Sequence, residues 1–278
     1  MTDRAAGVFI RHAPTRIMAA INASPESFYA GSVAASDDAI AKAVSRAEAD
    51  GAELIDIGAM STAPYKDAHV ETEVEAERMA RAVAAARRAT RLPISADTQR
   101  AIVARAALDA GADIVNDVSA LSADPGMATL IATRGAGAIL MVCDSPSVVE
   151  EAQGPAEVVA RLMREALARA IAAGIPPGRI MLDPGIGFFR QRSIPWHAWD
   201  MAVLGGIDTM KIGAPLLVGA SRKSFLGEVL GRARADDRLA GSLGVAAWCV
   251  ARGVEWLRVH DVAETRDVIR IIQELSPK

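Results

Sequence analysis

The chain has 278 residues, of which 51% are apolar, and a formal net charge of −3 at neutral pH. This length suits one large α/β domain or two small ones, with enough apolar surface for a substantial core. A slightly acidic chain without runs of like charge offers no basic field, so we exclude a nucleic-acid partner. The apolar runs are too short to span a bilayer, and Cys143 and Cys249 match no metal-ligand spacing. We therefore expect no membrane partner and a reducing, cytoplasmic setting.

Short aliphatic runs alternate with longer, alanine-rich segments of helical periodicity along almost the whole chain. The aliphatic runs predict eight strands, at residues 17–21, 53–57, 93–97, 113–115, 138–142, 180–182, 215–219 and 256–260. The segments after them predict helices that end near residues 51, 91, 110, 134, 173, 206, 251 and 275. Ser36 is the predicted N-cap of the first helix, and Gly111 the predicted C-cap of the third.

This alternation of strand and helix is typical of βαβ units and a parallel sheet. No linker, shift of composition or short repeat marks a second domain. We therefore predict that residues 1–278 form a single domain, an α/β fold of the (β/α)8 TIM barrel class. A doubly wound sheet is the alternative, but no G-x-G-x-x-G turn follows the first strand.

Polar residues follow nearly every predicted strand, at the end where the active sites of such barrels lie. They are Asn22, Asp56, Asp97, Asn116, Asp117, Asp183, Ser221, Arg222, Lys223, Arg258, His260 and Asp261. Any one of them is as often structural as functional, and helix capping fits Asp117 and Asp261 well. Because so many strands are followed by polar residues, we predict a functional site at this end.

One group of these residues is suited to a flat heterocycle with N–H and C=O edges. Asp97, Asn116 and Asp183 offer acceptors and one amide, and Lys223 donates to a ring carbonyl or nitrogen. Asp183 is delivered by a short aliphatic strand onto the turn Pro184-Gly-Ile-Gly187. Such a turn holds a charged group at the rim of a sheet, where ligands of α/β proteins bind.

The other group is suited to an anion. Arg222, Arg258 and His260 are donors, and Asn22 provides an amide oxygen beside them. An oxygen-bound Mg²⁺ would complete a phosphate site. Salt bridges from Arg258 and His260 to Asp261 or Glu264 are the alternative. Residues 256, 258 and 260 alternate on one strand and so face the same side, and this set is too polar for buried packing without a ligand.

At this point the chain resembles the dihydropteroate synthases, through several motifs in the same order over nearly its whole length. The matching stretches are Ile21-Asn-Ala-Ser-Pro-Glu-Ser-Phe28, Ile55-Asp-Ile-Gly58 with Ser61-Thr62, Asp97-Thr98, Gly111-Ala-Asp-Ile-Val-Asn-Asp-Val-Ser119, Asp183-Pro-Gly-Ile-Gly-Phe188, Gly219-Ala-Ser-Arg-Lys-Ser-Phe225, Arg238-Leu-Ala-Gly-Ser242 and Arg258-Val-His-Asp-Val262. One such motif is weak support, whereas the ordered set is strong.

The resemblance implies a transferase that joins 6-hydroxymethyl-7,8-dihydropterin diphosphate to an arylamine and releases pyrophosphate. It implies that the pterin ring is held by Asp97, Asn116, Asp183 and Lys223. It assigns the pyrophosphate to Asn22 with Mg²⁺, Arg258 and His260, and the arylamine to Thr62, Ser221 and Arg222. Charge that grows on the departing pyrophosphate is stabilised by prepositioned cations. Family likeness also implies a homodimer, to which the aromatic residues Trp196, Trp199 and Trp248 are candidates to contribute.

The departures from the family pattern lie in the loops. The second loop has Met60, Ala63 and Tyr65 where the family has Glu, Arg and Gly, and the first loop has Ala30 where an acid is usual. Strand five ends in Met141-Val-Cys143 instead of Met-His-Met, and Phe189-Arg190 replaces Gly-Lys. The pterin-side residues are all present, so the changes concern the pyrophosphate and the amine.

Several functions therefore stay open. The acceptor is 4-aminobenzoate or, on a methanopterin-type route, a ribofuranosyl-aminobenzene phosphate, for which Tyr65, Lys66, Arg190 and Arg192 are candidates. For Arg190 and Arg192 we favour solvated loop charges. The alternatives from other classes are a methyl-tetrahydropterin:corrinoid methyltransferase, which shares the barrel, and a non-catalytic pterin-binding protein. The stretches Ser221-Arg-Lys-Ser224 and Arg258-Val-His260 favour the synthase.

Overall fold

The computed structural model describes residues 3–11, 14–24, 34, 36–60, 70–144, 154–190, 192 and 194–275. In these residues the strands are β1 (Arg16–Asn22), β2 (Leu54–Gly58), β3 (Ile94–Asp97), β4 (Ile114–Asp117), β5 (Gly137–Met141), β6 (Ile180–Asp183), β7 (Leu217–Val218) and β8 (Trp256–Val259). All neighbouring strands pair in parallel, in the order β6-β5-β4-β3-β2-β1-β8-β7. A bridge between Leu182 and Leu216 joins β6 to β7, so the sheet closes and the predicted (β/α)8 barrel is confirmed.

The helices of the described residues are α1 (Asp37–Asp50), α2 (Thr72–Ala89), α3 (Ala101–Ala110), α4 (Met127–Arg134), α5 (Pro155–Ala172), α6 (Trp196–Gly205), α7 (Ser224–Leu230), α8 (Leu239–Ala251) and α9 (Val262–Leu275). Ser36 caps α1 by accepting from the N–H of Ala39, and Gly111 ends α3 in the left-handed conformation, so both predicted caps are confirmed. The sequence analysis did not predict α7, which begins directly after Lys223. None of the described helices is long and apolar enough to cross a membrane.

Alternation along each strand separates two cores. Side chains that point outward, such as Ile17, Ala19 and Ile55, pack against the helices in the larger core. Side chains that point inward form a smaller apolar layer inside the barrel, together with the N-terminal segment. This layer contains Ala5, Val8, Phe9, Met18, Leu54, Ile114, Ile139, Met181, Leu217 and Trp256. The barrel is therefore filled with side chains at its N-terminal end and is not a pore.

The N-terminal segment closes the lower end of the barrel. The indole N–H of Trp256 donates to the carbonyl of Val8 at 3.0 Å, and the guanidinium of Arg16 lies 4.2 Å from the Trp256 ring. Arg16 also donates to the carbonyls of Gly7 and Val8. These contacts fix the segment against β1 and β8, so any ligand must enter from the opposite end.

Candidate active site

A polar layer lies inside the barrel one pleat above the apolar layer. Alternate residues of a strand face the same side, so the residue two positions after each strand residue of the apolar layer lies at this level. These residues are Ala20, Asp56, Asn116, Met141, Asp183, Gly219 and Arg258, and four of the seven are polar. Asn22 of β1 and Asp97 of β3 end their strands near the same level, on either side of Gly58 of β2. The structure thus brings together most of the predicted site residues at one mouth.

Arg258 connects the two predicted halves of this site. Its Nε donates to Oδ2 of Asp56 at 2.7 Å, and its Nη2 lies 3.0 Å from Oδ2 of Asp97. The alternative interpretation, a salt bridge from Arg258 to Asp261 or Glu264, is therefore wrong. Burial would lower the pKa of Arg258, but the charges of Asp56 and Asp97 outweigh it and raise that pKa above its usual value. Arg258 stays a cation inside the barrel.

The two carboxylate oxygens of Asp97 have different environments. Its Oδ2 pairs with Arg258, whereas its buried Oδ1 has no hydrogen-bond partner within the described part of the chain. Burial raises the pKa of Asp97 to about 7, against the lowering effect of Arg258. A buried acceptor without a partner costs free energy until a ligand donates to it. Asp97 is thus prepared to accept an N–H.

Asn116 and Asp183 frame the other side of the mouth. The amide of Asn116 lies 3.4 Å from both oxygens of Asp56, and Asp183 accepts from the N–H of Gly185 at 2.8 Å. Burial raises the pKa of Asp183, against the charge of Lys223. Gly185 has φ +70°, and a Cβ there would lie 1.9 Å from the carbonyl oxygen of Val142, so the turn that presents Asp183 requires glycine.

Lys223 reaches this layer from the loop after β7. Its Nζ donates to the carbonyl of Ile186 at 2.5 Å and lies 4.8 Å from the centre of the Phe188 ring. Burial lowers the pKa of Lys223 to about 8, although Asp183 opposes the shift. The space between Asp183 and Arg258 is left open by Gly219, whose added Cβ would meet both within 4 Å. A ring bound there would lie between an acid and two cations.

His260 and Ser221 form a pair at the end of β8. Nδ1 of His260 lies 3.0 Å from Oγ of Ser221, which also accepts from the backbone N–H of His260. Burial lowers the pKa of His260 to about 3, and Arg258, Arg222 and Lys223 add to this effect. His260 is therefore a neutral donor at pH 7. The hydrogen bond between Nδ1 and Oγ of Ser221 orients the imidazole ring at the mouth.

Arg222 has a different environment from the one predicted for an arylamine contact. Its guanidinium pairs with both oxygens of Asp261, at 2.8 and 2.7 Å, and donates to the carbonyls of Ala235 and Asp236. The side chain of Asp261, for which helix capping was predicted, thus forms an ion pair. Arg222 itself has φ +55°, and its N–H donates to Ser242. These bonds shape the loop that carries Ser221 and Lys223.

The altered loop after β6 packs against α6. Phe189 is 1% exposed and stacks on Trp199, with ring centres 5.4 Å apart, and Arg190 lies 3.9 Å over the Trp196 ring. The side chain of Arg192 is 6% exposed and pairs with Asp144. The interpretation of Arg190 and Arg192 as solvated loop charges is therefore wrong. Their charges are used within the protein, because aromatic and acidic partners accompany them.

The same contacts revise the role given to the tryptophans. Trp199 is only 2% exposed, so it belongs to the core and not to a surface patch. Trp248 is 39% exposed, and its indole N–H donates to the carbonyl of Leu204. Several predicted residues, Thr62, Ala30, Ala63, Tyr65 and Lys66, lie outside the described residues. Conversely, Asp56 had been placed at a strand end without a role, and the structure makes it the partner of Arg258 and Asn116.

Fold and site together define a class, a (β/α)8 barrel whose mouth suits a flat nitrogen-rich ring next to an anion. The family model described as pterin binding enzyme matches residues 18–260. The dihydropteroate synthase of Mycobacterium leprae is 35% identical, over 94% of this chain and 93% of its own length. The Xanthomonas albilineans dihydropteroate synthase solved with 4-aminobenzoic acid superposes with a TM-score of 0.84 at 33% identity, covering 96% and 95% of the two chains. The chain therefore belongs to the dihydropteroate synthase family of pterin-binding transferases.

A further relative bears on catalysis. A second Mycobacterium leprae protein, named inactive dihydropteroate synthase 2, is 36% identical over 94% of this chain and 90% of its own length. Relatives at this level of identity thus include one named as the synthase and one named as inactive. The residues of the site, and not the degree of identity, therefore determine turnover.

Proposed function

We propose that the chain joins 6-hydroxymethyl-7,8-dihydropterin diphosphate to 4-aminobenzoate and releases pyrophosphate. The observation that carries this proposal is the buried Oδ1 of Asp97, which has no hydrogen-bond partner among the described residues, in a mouth that also holds Asp183 and Lys223. A pterin ring has the N–H donors and the carbonyl that such a set requires. Asn116 completes the acceptors and donors around the ring.

In the reaction, the amine nitrogen forms a bond to the methylene carbon, the bond from that carbon to the pyrophosphate oxygen breaks, and the amine loses a proton. Asp97 and Asp183 would stabilise positive charge that develops on the electron-rich ring. Arg258, held in place by Asp56, and the neutral imidazole of His260 would stabilise the negative charge on the leaving group. In this role His260 acts by its hydrogen bond and not by a charge.

Magnesium fits the part of the mouth beside Asn22. Oδ1 of Asn22 lies 3.2 Å from the position that a Cβ of Gly58 would occupy, so the absent side chain leaves room next to this oxygen. Among the described residues no group of three or more acidic, His or Cys side chains offers a full set of protein ligands. Mg²⁺ often takes only one or two protein oxygens and otherwise water and substrate phosphates. Asn22 would thus hold the ion, which when bound would neutralise charge on the pyrophosphate.

The arylamine is proposed from two observations. A relative was solved with 4-aminobenzoic acid. In addition, two of the cations that were candidates for a phosphorylated amine, Arg190 and Arg192, bind groups of this chain: Arg190 donates to Ser224 at 2.8 Å, and Arg192 pairs with Asp144. Ser221 and Arg222 lie on one loop beside His260, and Thr62 is outside the described residues. Their contact with the amine stays a prediction.

The decisive experiment measures pyrophosphate release with the pterin diphosphate, Mg²⁺ and either 4-aminobenzoate or its ribosyl phosphate derivative. We expect release with 4-aminobenzoate, none without an amine, and none after chelation of Mg²⁺. Release only with the ribosyl phosphate would overturn the acceptor. Pterin binding by calorimetry without any turnover would favour a non-catalytic protein, and methyl transfer from a methyl-tetrahydropterin to a corrinoid would favour that alternative enzyme.

We also propose a cytoplasmic homodimer. Both cysteines are free thiols, which suits a reducing compartment. Large apolar side chains are exposed on three successive helices, at Met201 of α6, Val229 and Leu230 of α7, and Trp248 of α8. Exposed apolar side chains on neighbouring helices are candidates for such an interface. Analytical ultracentrifugation of the wild type and of Val229→Asp tests the dimer, which the charge should dissociate.

A further inference from the structure

Asp200 is a buried acid outside the polar layer of the barrel. It lies on α6 and is 1% exposed. Its Oδ1 accepts from the backbone N–H of Gly187 at 2.8 Å, whereas its buried Oδ2 has no hydrogen-bond partner in the described residues. A carboxylate buried with one oxygen unpaired destabilises a fold, so its place calls for an explanation beyond packing.

The turn that Asp200 binds is the turn on which Lys223 rests. The carbonyl of Ile186 accepts from Nζ of Lys223, and the stem of Lys223 lies against Gly187, where an added Cβ would be 3.2 Å from Cδ. Gly187 thus donates its N–H to the carboxylate of Asp200, and its Cα packs against the aliphatic stem of Lys223. Asp200 and Lys223 therefore bind opposite ends of one peptide group, the N–H of Gly187 and the carbonyl of Ile186.

Charge supports the same connection. Burial raises the pKa of Asp200 to about 6, and Lys223, Arg190 and His197 lower it, so the carboxylate is largely ionised at pH 7. In turn, Asp200 raises the pKa of Lys223, which burial has lowered to about 8. The acid therefore favours the charged form of the lysine as well as its position.

We propose that Asp200 is a positioning residue, which fixes the ammonium of Lys223 at the mouth through residues 186 and 187. This inference rests on the proposed function, because the group that Lys223 would contact is the pterin ring. It predicts that Asp200 contributes to pterin affinity only as long as Lys223 is present. A purely structural acid would instead affect stability independently of Lys223.

A double-mutant cycle tests this role, with 6-hydroxymethyl-7,8-dihydropterin as the probe and calorimetry as the measurement. We expect Lys223→Ala and Asp200→Ala each to weaken binding by about tenfold or more, and the double variant to be within about twofold of Lys223→Ala alone. Effects that multiply, or an unchanged affinity in Asp200→Ala, would overturn the role. If wild-type protein does not bind the probe, the proposed function falls together with this inference. If only Asp200→Ala is without effect, the inference falls alone.

Two further variants separate position from stability. Asp124 is the control, since its carboxylate likewise accepts from backbone N–H groups, those of Ala101 at 2.7 Å and Gly126 at 2.8 Å. Asp124→Ala should lower the unfolding temperature and leave pterin affinity unchanged.

Asp200→Asn keeps an acceptor for Gly187 and serves if the alanine variant does not fold. It removes one charge that raises the pKa of Lys223, while Asp183, Asp97 and Arg258 still act on that lysine. The upper pH limit of pterin binding should therefore move to lower pH in Asp200→Asn. An unmoved limit contradicts the role.

Discussion

The two layers inside the barrel lie only one pleat apart, but their side chains differ in polarity and charge. At the lower level the strands present Met18, Leu54, Ile114, Met181 and Trp256, and all of them are completely buried. Two residues further along the same strands, the side chains are Ala20, Asp56, Asn116, Asp183 and Arg258. The lower layer therefore stabilises the fold, whereas the upper layer keeps charges paired and oxygens available for a ligand.

The largest effect should come from the lower layer. Trp256→Ala removes a fully buried indole that contacts Val8 and Arg16, so we expect the free energy of unfolding to fall by about 3–5 kcal/mol. Urea unfolding measures it, and Trp248→Ala is the control, because that indole is 39% exposed. Pterin affinity of the folded Trp256→Ala protein should stay within a few-fold of wild type. A loss of affinity as large as in Lys223→Ala would break the separation of the layers.

A smaller effect is expected where the N-terminal segment meets β5. A Cβ added at Gly137 would lie 2.3 Å from Cζ of Phe9 and 3.1 Å from Ile114. Gly137→Ala should therefore destabilise the fold by about 1–3 kcal/mol through overpacking. Gly135→Ala is a poor control because of its positive φ, so Gly178→Ala, where an added Cβ meets nothing, serves instead. Equal melting temperatures for the two variants would contradict the packing of Phe9.

In the upper layer, affinity should change instead of stability. Asp183→Asn and Lys223→Ala each remove one charged partner of the proposed pterin, which should weaken its binding by about 1–3 kcal/mol. Calorimetry measures this, and urea unfolding of the same variants should show a smaller change than Trp256→Ala. Unchanged affinity in both variants would contradict the assignment of Asp183 and Lys223 to the pterin pocket.

The smallest effect is a pH dependence of binding. Because the pKa of Lys223 is lowered to about 8, its ammonium loses its proton as pH rises beyond that value. Pterin affinity should then decline by at most about tenfold, or about 1.4 kcal/mol, per pH unit. Calorimetry between pH 7 and roughly 9.5 measures it, and Lys223→Ala should lack the decline.

The same shift has a defined sign for stability. The folded pKa of Lys223 lies below the unfolded value of 10.5, so the unfolded chain binds more protons in that window. This lysine therefore stabilises the fold above pH 10.5, and the contribution is lost as pH falls toward about 8. A steeper loss in Lys223→Ala than in wild type would contradict the assignment.

Much of the fold could be predicted because the signals are local. Eight aliphatic runs predicted the eight strands, and α8 and α9 end at Ala251 and Leu275, where the sequence placed their last residues. The strand-end residues could be found for the same reason, since a side chain two positions past a buried one faces the same way. The missed helix α7 is seven residues long, and such a short segment carries little periodicity.

What the sequence could not supply were partners from distant strands. Asp56 and Arg258 are 202 positions apart, and no local pattern relates them. Arg190 and Arg192 were interpreted as solvated because charged residues in loops usually are, and only the stacking on Trp196 and the pairing with Asp144 show otherwise. Burial likewise decided that His260 is neutral, which its type alone leaves open.

By itself the sequence determined the order of the strands, the groups that each delivers to the mouth, and the family likeness, because alternation and motif order are properties of the chain. Only the closed barrel decided which of these groups lie close enough to form ion pairs. Closure places β8 beside β1 and brings Arg258 to Asp56 and Asp97 inside the barrel. Burial and the distances between charges together set the pKa of each group, and both exist only in the tertiary structure.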